Sequence, residues 1–107
     1  MREEVLIVFT TWPDADKARA AARKLVEEKL IACANLLPGV ESIYRWEGKV
    51  ETSSEVLMLL KSTIARYQML ESRIRELHGY EVPEIVSVRV TDGLPSYLRW
   101  VEQSCLD

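Results

Sequence analysis

The sequence predicts an α+β fold in which helices cover one face of a four-stranded antiparallel sheet. Apolar, β-branched runs alternate with segments of helical periodicity, in the order β-α-β-β-α-β-α. Only Glu47 and Gly48 separate the two middle strands, which is the length of a tight hairpin turn. Two β-α-β units joined through a central hairpin give such a sheet, with both main helices on the same side.

Composition limits the class of protein before any motif is considered. The chain has 107 residues, 48% of them hydrophobic and 29% charged, so we expect one globular domain over residues 1–107. The net charge of −3 and the scattered basic residues argue against a nucleic-acid partner, and no apolar run is long enough for a membrane. Two cysteines are too few for a disulfide framework and suit a reducing cytoplasm.

The first strand and helix follow directly from the pattern. The run "EVLIVFTT", residues 4–11, is apolar or β-branched after its first residue, and Pro13 closes it. Asp14 is then a suitable N-cap for a helix that extends to about Leu30. The face that this helix turns to the sheet is predicted to carry Ala18, Ala22 and Leu25.

The second and third strands are predicted to form a long hairpin. "LIACANLL" and "VESIYRW" supply one side, with a break at Pro38 and Gly39, and "KVETSSEVLMLLKS" returns. With a two-residue turn, Tyr44 faces Glu51 and, if the break adds no extra residue, Asn35 faces Leu60.

The outer half of this hairpin, beyond Val40, overhangs a domain of this size. Such an arm exposes apolar side chains and unpaired strand edges, which proteins usually cover. Together with the bare second face of the sheet, the arm predicts a homo-oligomer. The predicted subunit-interface residues on the arm are Ile43, Tyr44, Trp46 and Val50.

The second half of the chain repeats the strand and helix pattern. Ser62 or Thr63 can cap a second helix, which ends at Gly79 in a left-handed stop. The apolar face of this helix consists of Tyr67, Leu70, Ile74 and Leu77. "EIVSVRV" is the fourth strand, and Pro95 begins a last helix with the apolar stripe Leu94, Leu98 and Val101. The whole is a ferredoxin-like split β-α-β sandwich with a long β2-β3 hairpin and an extra C-terminal helix.

His78, the only histidine, lies in the last turn of the second helix, within "HGYEVPEI". One interpretation is structural, because an imidazole at a helix C-terminus can bond the free carbonyls and interact with the dipole. The other is a metal ligand, which would need further donors such as Cys33, Glu81 or Glu84.

Two of these three possible donors have simpler interpretations. Cys33 lies in an apolar run and can be a core thiol, and Glu84 can be a solvated charge at the entry of a strand. The sequence contains no CxxC or HExxH motif, no phosphate-binding glycine loop and no marked oxyanion hole. We therefore expect neither an enzyme nor an organic cofactor.

Several segments together resemble the CutA divalent-cation tolerance family over nearly the whole chain. They are "EEKLIACANLLPGVESIYRWEGKVE", "LLKST", "HGYEVPEI" and "YLRW". Matched residue by residue, the "ACAN" of Cys33 resembles the family's "ACVN", and the hairpin motif supplies Tyr44, Trp46 and Gly48. "HPYEVPE" is matched by His78, Tyr80, Pro83 and Glu84, and the end of strand three by Lys61. Gly79 replaces the usual proline, and Thr10 and Leu77 stand where some relatives offer cysteine and a second histidine.

The resemblance implies a cytoplasmic homotrimer whose hairpin strands pair between subunits, with a role in tolerance to copper and other divalent cations. On this basis the leading hypothesis is a trimer that binds Cu(II) or another divalent cation. Its predicted metal ligands are His78, Cys33 and Glu84, at a cleft between subunits.

Two other hypotheses stay open. A trimer resembling the nitrogen-regulatory signalling proteins would bind a small anionic metabolite in the same cleft, with Lys61, Tyr80 and Arg45 as donors. A structural or anchoring scaffold, as in animal members of the family, would need no ligand.

Overall fold

Four strands and three α-helices follow one another in the predicted order, in a computed structural model that describes residues 4–106. The strands are β1 (Val5–Trp12), β2 (Cys33–Trp46), β3 (Lys49–Thr63) and β4 (Ile85–Arg89). The helices are α1 (Ala15–Glu27), α2 (Tyr67–His78) and α3 (Pro95–Ser104), with a short 3-10 turn at Ile64–Arg66 before α2.

The strands form one sheet in the order β2-β3-β1-β4, and each neighbouring pair is antiparallel. Both α1 and α2 pack on the same face, where Val8 and Leu60 of the sheet meet Leu25 and Ile74 of the helices, all of them fully buried. Each such aliphatic side chain contributes about 1.5–3 kcal/mol relative to the exposed state. The predicted ferredoxin-like arrangement is confirmed.

Helix α1 begins as predicted and ends earlier. The Asp14 carboxylate accepts a hydrogen bond from the Lys17 backbone N–H at 2.8 Å, which is an N-cap. The helix stops at Glu27 instead of Leu30, because Lys29 adopts a left-handed conformation with φ of 61°. This turn frees Leu30 to enter the core, where it is 4% exposed.

The hairpin turn confirms one half of the predicted register. Glu47 and Gly48 have φ of 50° and 80°, the positive values that a two-residue turn of type I′ requires. Tyr44 therefore pairs with Glu51, as expected.

The other half of the register is shifted by one residue, because an irregularity between Leu37 and Val40 adds an extra residue to β2. Asn35 pairs with Leu59, and the predicted pairing with Leu60 is wrong. Because side chains alternate along a strand, the bulge also exchanges the faces of β2. Before the bulge, the odd-numbered residues of β2 lie on the same face as the odd-numbered residues of β3. After the bulge, the even-numbered residues of β2 lie on that face.

Helix α2 is entered differently from the prediction. Thr63 makes no capping hydrogen bond, and the Ser62 hydroxyl donates instead to the Leu30 carbonyl at 2.6 Å. The 3-10 turn leads the chain into the helix. Gly79 closes α2 with φ of 95°, so the predicted left-handed stop is confirmed.

The second face of the sheet, which we call the outer face, is covered only at one end. There α3 builds a small core of Val5, Ala32, Leu98, Val101 and Cys105. Leu94 precedes this helix and is 69% exposed, so its predicted place in the apolar stripe is wrong. Much of the remaining outer face is partly or fully exposed, and its exposed or half-buried apolar residues are Ile7, Phe9, Leu57, Leu59, Val86 and Val88. Among residues 4–106 no helix has the length and apolarity to cross a membrane.

Candidate functional site

A cleft of about 650 Å³ lies between the arm and the segment that joins α2 to β4. Its lining includes three glutamates and three aromatic residues, and no Lys, Arg or His is among the lining residues. We call it the Glu55 cleft and define it by Tyr44, Trp46, Glu55, Tyr80, Glu81 and Glu84.

The bulge in β2 determines which arm residues face this cleft. Val40 pairs with Glu55 and Tyr44 with Glu51, so even-numbered residues of the arm lie on the same face as Glu55. This places Tyr44 and Trp46 toward the cleft.

Tyr80 forms the opposite wall because Gly79 turns the chain sharply at the end of α2. Its hydroxyl donates a hydrogen bond to Oε2 of Glu55 at 3.2 Å. Burial raises the pKa of the Tyr80 phenol, and the Glu55 carboxylate raises it further by disfavouring a second negative charge. The phenol therefore remains a hydrogen-bond donor to higher pH than a free tyrosine.

Glu55 itself is 8% exposed, although it stands at the cleft. Within the described residues it forms no ion pair, and the bond from Tyr80 is its one side-chain hydrogen bond. Glu28, which is much more exposed, is by contrast held by Arg73 through two hydrogen bonds of 2.9 and 2.8 Å. Buried glutamates are usually paired, so Glu55 is unusual among the carboxylates of residues 4–106.

His78 lies behind Tyr80, on the helical side of the sheet, and is fully buried. Its Nε2 is 2.5 Å from the Thr11 carbonyl oxygen, which can only accept, so this nitrogen carries the proton. Its Nδ1 accepts from the Tyr80 backbone N–H at 3.4 Å. The rings of Trp12 and Tyr80 lie 4.3 and 4.5 Å from the imidazole. Both ring nitrogens are therefore engaged inside the chain.

The three predicted metal ligands are not brought together in one chain. Cys33 begins β2 beside Lys61, and its Sγ lies 3.6 Å from the Tyr97 hydroxyl. It is half-buried, so the core interpretation is only partly correct. Glu84 is exposed at the cleft, while His78 is enclosed behind Tyr80. Among residues 4–106 no three His, Cys, Asp or Glu side chains form a metal-holding group.

The three predicted donors for an anion are also separated. Only Tyr80 lines the cleft. Lys61 donates to the side-chain oxygen of Asn35, well along the sheet, and Arg45 lies on the opposite face of the arm from Tyr44. The carboxylates of the cleft disfavour an anionic ligand.

Sequence reasoning missed Glu55. The available signal was an acidic residue at the head of the apolar run "VLMLL", at a position where β3 enters the body of the sheet. It also missed that Thr10 Oγ1 and Trp12 Nε1 are buried without a hydrogen-bond partner among the described residues.

The fold and this cleft define an α+β protein of the ferredoxin-like type with a ligand-sized acidic cleft at the base of a long hairpin. The chain belongs to the CutA1 divalent ion tolerance protein family, whose model matches residues 6–104.

Individual relatives agree with this assignment. A divalent-cation tolerance protein CutA from Thermus thermophilus is 43% identical over 102 residues, which is 95% of this chain and 97% of that protein. The structure of CutA from Xylella fastidiosa has a TM-score of 0.92 at 40% identity, covering 94% of this chain and 97% of that one. A structure from Archaeoglobus fulgidus, described as a periplasmic divalent cation tolerance protein, has a TM-score of 0.92 at 28% identity, covering 95% of this chain and 99% of that chain.

Proposed function

We propose that this protein acts in divalent-cation tolerance as a homotrimer that binds divalent cations directly at the mouth of the Glu55 cleft. One observation carries the binding proposal: three carboxylates line the cleft, and no basic side chain does. Family membership supports the cellular role.

The proposed cation ligands are Glu81 and Glu84, which are both exposed at the cleft. His78 is left out of this set, because a neutral imidazole with both nitrogens hydrogen-bonded has no lone pair to offer. Two carboxylates are too few for a tight site, so a second subunit must supply further donors. Cu(II) is the most sensitive probe, since most sites bind it more tightly than the other first-row divalent ions.

Calorimetric titration with Cu(II) tests this assignment. We expect Glu84→Gln to weaken Cu(II) binding by about tenfold, equivalent to about 1.4 kcal/mol. Glu27→Gln, an exposed carboxylate at the end of α1, is the matched control and should bind like the wild type. Equal affinity in the wild type and Glu84→Gln would refute the cleft as the cation site.

The trimer proposal rests on two apolar surfaces. On the arm, Ile43 and Val50 are 66% and 67% exposed, and on the outer face Val86 and Val88 are 53% and 49% exposed. Contiguous apolar surface of this kind is usually covered by another subunit.

Mass measurement by light scattering tests the trimer. The wild type should have the mass of three chains, and Ile43→Glu on the arm should lower it. Val26→Glu is the matched control, because Val26 is 43% exposed on α1, away from both surfaces. A monomeric wild type, or an Ile43→Glu variant that remains a trimer, would count against the proposed arm contact.

We also propose that the protein is cytoplasmic, because two cysteines are too few for a disulfide framework. Cell fractionation with periplasmic and cytoplasmic marker proteins tests this location. Recovery with the periplasmic marker would overturn it.

A further inference from the structure

The hydrogen bonds of His78 determine where its single ring proton lies. Its Nε2 donates to the Thr11 carbonyl oxygen at 2.5 Å, so Nδ1 is the nitrogen without a proton. Nδ1 accepts from the Tyr80 backbone N–H at 3.4 Å, and the whole ring is buried. When acid protonates Nδ1, two N–H donors face each other at this contact. The neutral and the protonated imidazole therefore require different backbone arrangements at Tyr80.

Gly79 gives the backbone at this contact a second arrangement. Its carbonyl and the Tyr80 N–H belong to one planar peptide unit and point in opposite directions. Rotation of that unit turns the Gly79 carbonyl toward Nδ1, where it can accept the new proton. Gly79 has φ of 95° and ψ of −17°, and the rotated unit needs a ψ of about 160°. That combination of angles is open essentially to glycine alone.

Two features of the site favour a positively charged imidazole. The rings of Trp12 and Tyr80 lie 4.3 and 4.5 Å from the ring of His78, within the range of cation–π attraction. His78 is also in the last turn of α2, where the helix dipole stabilises a cation. These contacts offset part of the cost of placing a charge in a buried site.

Charged groups reach this contact from the other elements around it. From α1, the Lys17 ammonium lies against Gly79 and opposes a second positive charge. Asp14, the N-cap of α1, acts on Tyr80, and Glu55 of β3 accepts a hydrogen bond from the Tyr80 hydroxyl, so both carboxylates favour the protonated imidazole. The residues that β1 contributes, Thr11 and Trp12, do not titrate.

We propose that protonation of His78 at mildly acidic pH rotates the peptide unit between Gly79 and Tyr80 and so moves one wall of the Glu55 cleft. The proton comes from solvent, Nδ1 becomes a donor to the Gly79 carbonyl, and the Tyr80 N–H is released. Because the Tyr80 side chain follows its backbone, its hydrogen bond to Glu55 is weakened or lost. This pH switch needs no metal ion and goes beyond the divalent-cation proposal.

Nuclear magnetic resonance of the protein tests the switch, because His78 is the only histidine and gives one set of imidazole nitrogen signals. The pH is lowered from about 8 to about 5, the range in which histidines change charge. The imidazole nitrogens and the Tyr80 amide should shift with one shared midpoint while the protein stays folded. His78→Gln keeps a donor for Thr11 and does not titrate in this range, so its Tyr80 amide should stay fixed.

Two further variants separate the rotation from the charge. Gly79→Ala disfavours the rotated backbone and should lower the midpoint of the His78 titration by at least about one pH unit. A Cβ at residue 79 would lie 2.6 Å from Nζ of Lys17, so the alanine also pushes this ammonium aside. Lys17→Gln is therefore the matched control: it removes the ammonium, leaves the backbone unchanged and should raise the midpoint.

An imidazole that stays neutral until the protein unfolds would overturn the proposal. The same holds if His78 is protonated in the folded protein while the Tyr80 amide shifts no more than in His78→Gln. An unchanged midpoint in Gly79→Ala would refute the rotated peptide as the acceptor. Because none of these measurements involves Cu(II) or Glu84, the pH switch and the divalent-cation proposal can fail independently.

Discussion

His78 and Glu55 are both buried titratable residues on opposite sides of Tyr80, but they differ in the number of hydrogen-bond partners that the chain provides. His78 has a hydrogen-bond partner at each ring nitrogen and an aromatic ring on either side. Glu55 has one bond from a hydroxyl and an open cleft before it. A buried polar group that is fully hydrogen-bonded within the chain stabilises the fold. A buried polar group that lacks such partners is a candidate for binding a ligand.

The largest predicted effect is on His78. We expect His78→Ala to lower the free energy of unfolding by about 3 kcal/mol, because it leaves a cavity beside Trp12 and removes the partner of the Thr11 carbonyl. Denaturant unfolding measures this loss. Arg75→Ala, an exposed change in the last turn of the same helix, is the control. Folded His78→Ala should keep its Cu(II) affinity; loss of affinity without loss of stability would return His78 to the ligand set.

Substitution of Glu55 is expected to raise the stability of the protein instead of lowering it. Replacing a buried, unpaired carboxylate by an amide of the same shape should raise the stability of the protein by about 1–2 kcal/mol at neutral pH. Glu55→Gln still accepts a bond from Tyr80, so the packing is preserved. Thermal unfolding in the absence of added metal ions measures this change, and a marked loss of stability would show that Glu55 has a cationic partner in the assembled protein.

A third prediction concerns the hydroxyl of Thr10, which is fully buried and has no hydrogen-bond partner among the described residues. Thr10→Val has nearly the same volume and removes a polar group that lacks a partner, so we expect about 1 kcal/mol of stabilisation. Thr52→Val, at an exposed position of β3, should have little effect. Destabilisation of Thr10→Val would indicate that a bound water pairs with the hydroxyl.

The smallest expected effect concerns the stability of the protein at alkaline pH. The raised pKa of Tyr80 means that the folded chain favours the neutral phenol, so this contribution is complete below the unfolded pKa of about 10 and is lost as pH rises through the folded value. Tyr80→Phe should therefore lose less stability than the wild type between neutral and strongly alkaline pH. Tyr67 and Tyr97 also have raised pKa values, so the loss should shrink and not vanish. An unchanged pH profile would contradict this role.

The fold could be predicted from the sequence alone, because the residues that begin and end its helices and turns act locally. The N-cap at Asp14, the turn at Glu47 and Gly48, and the stop at Gly79 each follow from the chemistry of one or two residues. The register near Asn35 was missed, since whether Pro38 and Gly39 add an extra residue depends on how the completed strands pair.

The candidate site was predicted less well, because it depends on contacts between distant segments. Tyr80 and Glu55 are separated by most of β3 and all of α2, and nothing in the local pattern links them. His78 was predicted as a ligand because imidazole commonly binds metals. In the structure, however, both of its ring nitrogens are hydrogen-bonded, one to Thr11 and the other to Tyr80.

The extra residue in β2 has a consequence for the electrical character of the cleft. Deleting Gly39 would turn the arm by half a rotation about its long axis, because each residue of a strand points opposite to the next. Tyr44 and Trp46 would then leave the face of Glu55, and Arg45 would take a place there. A change of length by one residue, with every charged residue retained, would thus place one positive charge among the three carboxylates of the cleft and weaken its negative potential.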